Sequence, residues 1–182
     1  MARVTQKPLA TLGAIFVLSA GGLASAQEVA LAQDSPESKF LMDAVRGDLA
    51  EVKLGELAKQ KGQSEGVREF GEMLVEDHSK AMRQTAELAK DLNVIPPAQP
   101  TAEQTQKHDA LARLSGAEFD RQFAAEMVKG HQEEIAKYEK EAQSGHSKVA
   151  ELAEELLPTL EEHLAAAQRL QSGDASHDRP HN

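Results

Sequence analysis

Four long amphipathic stretches, separated by interruptions of unequal strength, decide what this chain can fold into. The first follows Ser35 and Pro36, a cap residue and a proline suited to the first helical position, and runs to about Lys61, where Gly62 ends it. The second follows Ser64, carries the stripe Val67, Phe70, Leu74, Ala81 and Leu88, and stops at residues 93–100, "NVIPPAQP", which cannot be helical. The third begins near Ser115 and carries Phe119, Phe123, Met127, Ile135 and Tyr138 until "QSGHSK" breaks it at Gly145. The fourth carries Val149, Leu152, Leu156, Leu160, Leu164 and Leu170, with Pro158 inside it predicting a kink or local opening. No run alternates apolar and polar residues with a period of two, so strands are not expected. Two tight turns therefore flank one connection of about 23 residues, which includes the short amphipathic "TAEQTQKHDALARL" (101–114). That connectivity predicts an all-α fold, a ferritin-like four-helix bundle of two helical hairpins joined by a long crossover with its own short helix; an up-down-up-down bundle would have three short loops.

The first 26 residues have the order of a secretory signal peptide: Arg3 and Lys7, an apolar run from Leu9 to Ala20, then Ala24, Ser25 and Ala26 before the cut. As a membrane anchor the run falls short of the roughly 20 residues a bilayer core requires, and Gly21 and Gly22 interrupt it. The mature form is thus expected to have no integral membrane span. With no cysteine there is no lipid-attachment site at the cleavage point, so a periplasmic or secreted product is expected, stabilised without disulfides. Residues 27–35 read as a flexible segment, 36–172 as one bundle domain, and 173–182 as a disordered tail. Losing two basic and no acidic residues with the signal peptide takes the net charge from −10 to −12, which argues against nucleic acid as a partner. Protein partners are not legible, and a monomer or a homodimer fits equally.

The two hairpins resemble each other weakly. A shift of 80 residues lays "QKGQS" (60–64) on "KEAQS" (140–144) and Glu51 on His131, while "EDH" (76–78) aligns with "EEH" (161–163). Measured from the turns at 1.5 Å per residue, Glu51, His78, His131 and His163 all fall about 18–26 Å along their helices. Each lies on or beside an apolar stripe: His78 four after Leu74, His131 four after Met127, His163 three after Leu160. One glutamate and three imidazoles converging on a bundle axis suit a divalent metal such as zinc, copper, iron or manganese, because an ion satisfies several buried polar groups at once. Glu134, one turn from His131, is a further candidate ligand. The alternative is a metal-free structural or interaction module whose histidines are core polar groups held by a hydrogen-bond network.

Other residues constrain the chemistry by what they are not. Di-iron bundles place Glu three residues before His, but Val75, Val128 and Leu160 occupy those positions, which argues against ferroxidase or oxygenase chemistry. Met82 and Met127 flank His78 and His131 by one turn and allow a softer site for copper, although methionine at helical spacing is usually core filling. Asp77 and Glu162 sit next to seam histidines and point about 100° away around the helix, as surface or outer partners. His108, His146, His177 and His181 have solvated positions, and no nucleophile elbow or phosphate loop is present. Nothing in the sequence calls for turnover or names a catalytic residue.

The pieces "AEVKLG" (50–55), "MLVEDH" (73–78), "SGAEFD" (115–120) and "LPTLEEH" (157–163), in that order, resemble the bacterial domain of unknown function 4142 across about residues 40–171. The resemblance implies a ferritin-like fold, a signal peptide and an envelope location, with a frequent outer-membrane label but no assigned reaction. That label fits poorly with a chain lacking barrel strands and a lipid anchor. The family's recurring polar positions fall on Glu51, His78, His131 and His163, with Gly130 standing where relatives usually carry an acidic residue.

Overall fold

A computed structural model of the chain describes residues 34–173. The expected signal peptide, residues 27–33 and the tail beyond Gly173 lie outside them. Among the described residues five helices follow in order: α1 (Pro36–Lys61), α2 (Glu65–Asp91), α3 (Ala102–Ala112), α4 (Gly116–Ala142) and α5 (Lys148–Ser172). No strand occurs among the described residues, and no helix there is long and apolar enough to cross a membrane.

The helix ends are set by local chemistry. Ser35, Ser64 and Ser147 each cap a helix by accepting a hydrogen bond at Oγ from the backbone N–H three residues on, at 3.0, 3.3 and 3.2 Å. Thr101 and Gln104 form a reciprocal capping box that starts α3 after the proline-rich stretch. Gly173, at φ +80, ends α5 in the left-handed conformation that glycine adopts without penalty. α5 runs unbroken through Pro158, which is exposed. The missing proline N–H leaves the Glu154 carbonyl without its helical donor on a face where water can reach it.

α1 pairs with α2 and α4 with α5, while α2 lies against α5 and α1 against α4. The two tight turns are at opposite ends of the bundle. At one end, Lys61 Nζ donates to the carbonyls of Ala112 and Leu114, and the Gln63 and Ser64 N–H groups donate to Asp120, both at 2.8 Å, which ties the α1–α2 turn to the start of α4. At the other end Phe40 packs edge-on against Tyr138, 5.0 Å between centroids, beside the α4–α5 turn. The crossover carries the chain from the second end back to the first, as a ferritin-like arrangement requires.

Apolar packing is divided in two. Leu54, Phe70, Leu74, Phe119, Phe123 and Met127 are among the residues that fill one end, with Phe119 and Phe123 stacked at 5.7 Å. Leu41, Ala89, Tyr138, Val149, Leu156 and Leu160 belong to the cluster at the other. Between the clusters lies a layer of buried polar side chains: Asp48, Glu51, His78, His131 and His163. The fold shields this layer with a plug of hydrocarbon on either side.

Candidate metal centre

His78 from α2, His131 from α4 and His163 from α5 meet at mid-bundle. Their ring centroids lie 5.8 Å (His78–His131), 5.1 Å (His78–His163) and 5.3 Å (His131–His163) apart, and all three residues are at least 98 % buried. Each offers a ring nitrogen within 4.8 Å of those of the other two. Phe70 covers two of the rings from the adjoining plug, 6.4 Å from His131 and 6.1 Å from His163.

The hydrogen bonds fix which nitrogen faces inward. His131 Nδ1 lies 2.9 Å from the Met127 carbonyl oxygen, which can only accept, so Nδ1 carries the proton and Nε2 presents a lone pair. His163 Nε2 lies 2.9 Å from Asp77 Oδ2; donation to that carboxylate leaves Nδ1 as the lone pair. His78 Nδ1 lies 2.9 Å from Asp48 Oδ1, and donation there leaves Nε2, which is buried and without a partner. His131 and His163 are thus anchored outward by N–H groups, and His78 Nε2 stays buried and unpartnered beside them. His131 Nε2 and His163 Nδ1 face each other at 3.3 Å.

Burial keeps the rings neutral. It pulls the His131 pKa down to about 3, aided by the neighbouring His78 and His163, and it lowers His78 and His163 as well. It also raises the carboxyl pKa values beside them: Glu134 goes up to about 7, and Asp48 and Glu51 move well above the ordinary range, Glu51 being raised further by Glu134 and Asp48. Tyr138 is raised by the same burial and the same two acids, Glu134 and Asp48. A small cavity of about 10 Å³, lined by Asp48, Asp77, His78, Tyr138, Thr159 and His163 among others, opens beside the rings.

Of the four residues singled out in the sequence, the structure brings the three histidines together and leaves Glu51 outside both groups of close ligand atoms. Asp48, one turn earlier on α1, stands beside His78 instead, and it forms a second group with His78 and the partly exposed Glu134. Asp77 acts as an outer partner, as its offset on the helix implied. Met127 contributes its carbonyl, while its side chain packs in the core. Asp48 was legible in a repeat at a shift of 83 rather than 80 residues, which lays Gly47, Asp48 and Glu51 on Gly130, His131 and Glu134, Gly62 on Gly145, and the cap Ser64 on the cap Ser147.

A family model described as a domain of unknown function (DUF4142) matches residues 21–170. The chain belongs to that family. Among curated proteins none matches the DUF4142 chain. Among solved structures it is similar to the crystal structure of a DUF305 fragment from Deinococcus radiodurans, at 17 % identity and a TM-score of 0.67, covering 76 % of this chain and 97 % of that one. At that identity the likeness speaks to the DUF4142 fold alone.

Proposed function

We propose that the protein holds a divalent metal ion at His78, His131 and His163, as a periplasmic or secreted metal-handling protein that needs no turnover to act. One observation carries the reading: three buried imidazoles each bring a ring nitrogen within 4.8 Å of the others, while the second nitrogen of His131 is held by a backbone carbonyl and those of His78 and His163 by Asp48 and Asp77. Histidine ligands characteristically donate their second ring N–H to such partners, which sets the tautomer and the ring angle. Two nitrogens each 2.0–2.1 Å from a tetrahedral zinc stand about 3.3 Å apart, matching the 3.3 Å between His131 Nε2 and His163 Nδ1. With both outward N–H bonds kept, a direct hydrogen bond between those nitrogens makes one ring cationic, which burial disfavours in both.

Envelope localisation is supported by the signal-peptide pattern of residues 1–26. The test is elemental analysis and thermal melting of the mature protein. The expected result is one zinc retained per chain and a melting temperature that falls with EDTA and recovers with zinc; a free ion at 100 times its Kd stabilises by about 2.7 kcal/mol. The shift should vanish in His131→Ala. Identical melts with EDTA, zinc and copper would leave the histidines as a structural network.

A further inference from the structure

The carboxyl side of the same layer is not explained by three imidazoles. Asp48 and Glu134 offer carboxylate oxygens within 4.8 Å of each other and of a His78 nitrogen. Asp48 is 1 % exposed, and its Oδ2, the oxygen not taken by His78, has no partner. Glu51, 9 % exposed and one turn along α1, also has an unpartnered buried oxygen, Oε2. Lys107 of α3, whose charge acts on Glu51, is already engaged with Glu126 at 3.0 Å. Orphaned buried carboxylate oxygens carry a desolvation cost that a proton, a trapped water or a cation offsets.

The helices make room for this cluster in a symmetric way. On α1 the order is Gly47, Asp48, Glu51; on α4 it is Gly130, His131, Glu134. Because α1 and α4 are antiparallel, each glutamate lies over the other helix's glycine. A Cβ on Gly47 would come 3.5 Å from Glu134 Oε1, and one on Gly130 would come 3.8 Å from Glu51 Oε1. Each acid thereby faces a glycine of the opposite helix, where no Cβ intervenes.

We propose that Asp48 and Glu134 form a second cation site, with Glu51 one turn along α1 as an outer acidic neighbour, for a hard, oxygen-preferring divalent ion of the Mn²⁺ class, adjacent to the three-imidazole site. Carboxylate oxygens favour such ions, whereas neutral imidazoles favour zinc. The protein then holds two different cations side by side, sorted by ligand chemistry. This rests on the three-imidazole reading for its neighbour but not for its own ligands, so the two can fail separately.

The probe is Mn²⁺ titrated into the full mature chain, with and without one equivalent of zinc, followed by the loss of the free-ion electron paramagnetic resonance signal. The expected result is one Mn²⁺ bound per chain with zinc in place. In Glu134→Gln, an isosteric change checked for retained helicity, Mn²⁺ binding should weaken about tenfold or more while zinc is kept. His131→Ala should lose zinc and keep Mn²⁺, and Glu51→Gln should weaken Mn²⁺ alone. Zinc binding without Mn²⁺ binding would overturn the second site and leave the first standing. Mn²⁺ that binds equally well to Glu134→Gln, or only in the absence of zinc and never to His131→Ala, would also overturn it. Glu134-dependent Mn²⁺ binding in a chain that takes no zinc would support the second site and remove the first.

Discussion

Asp77 is the residue at which ligand tuning and packing separate most cleanly. Its carboxylate anchors His163 Nε2 at 2.9 Å, yet its side chain is 37 % exposed and fills no core space. Replacing it with Asn keeps the shape but removes the charge and allows the amide to present its NH₂ group, which no longer compels His163 to aim Nδ1 inward. Asp77→Asn should therefore weaken zinc about 10–100-fold with the melting temperature of the metal-free protein nearly unchanged; isothermal titration beside a thermal melt measures both. Equal losses of zinc affinity and apo stability would mean that Asp77 serves packing instead. The histidines were legible because each falls on an apolar stripe. Asp48 was missed although the repeat marks it, because anchoring the repeat on the similar strings at 60–64 and 140–144 slid the register by three residues. The glycines and serines that shape the two turns mark the true shift, since they answer to backbone geometry rather than composition.

At the level of helices, two glycines that look alike in sequence are under opposite constraints. A Cβ on Gly55 of α1 would meet the Gly71 carbonyl oxygen of α2 at 2.7 Å and Val75 Cγ2 at 2.9 Å, and a Cβ on Gly71 would meet the Gly55 carbonyl oxygen at 2.7 Å. The α1–α2 hairpin closes on this contact, and an added methyl can be admitted only by parting the helices. Gly55→Ala should cost about 1–3 kcal/mol, which lowers the melting temperature by about 3–10 °C. Gly130 has ordinary contact distance around it, its would-be Cβ lying 3.8 Å from Glu51 Oε1. Gly130→Ala should instead stabilise α4 by up to about 1 kcal/mol, through reduced freedom of the unfolded chain and better helix propensity. Thermal melts of the two variants decide the matter, and a shared sign would contradict the packing described. Helix limits were readable because serine caps, prolines and glycines act locally. The close approach at Gly55 and Gly71 was not, because it depends on which face of α2 the hairpin turns toward α1.

For the whole molecule the two turns at opposite ends carry a lesson about why the site could be located at all. Distances counted from turns that do not share an end coincide only near the middle, and helices of 26, 27, 27 and 25 residues place His78, His131 and His163 there. A polar layer at mid-bundle, sealed by two apolar plugs, makes stability sensitive to its protons. In the metal-free protein the histidines have depressed pKa values, so between about 3 for His131 and the unfolded value of 6.5 the unfolded state binds more protons, and stability rises with pH across that window. The carboxyl groups act in the opposite sense. Glu134 is raised from 4.5 to about 7, so the folded state binds more protons between those values, and this contribution is lost as pH rises through 7; Asp48 and Glu51 are shifted in the same direction. Below pH 4.5 the imidazoles dominate and above 6.5 only the carboxyl groups titrate, so the stability maximum of the metal-free protein lies between. Bound cations reverse the alkaline side, because they favour ionised carboxylates and are themselves displaced by acid. With EDTA the melting temperature should be higher at about pH 5.5 than at about pH 8, and with zinc and manganese present the order should invert. Melts under those four conditions measure it, and an unchanged order with metal would mean that the layer binds protons but no cations.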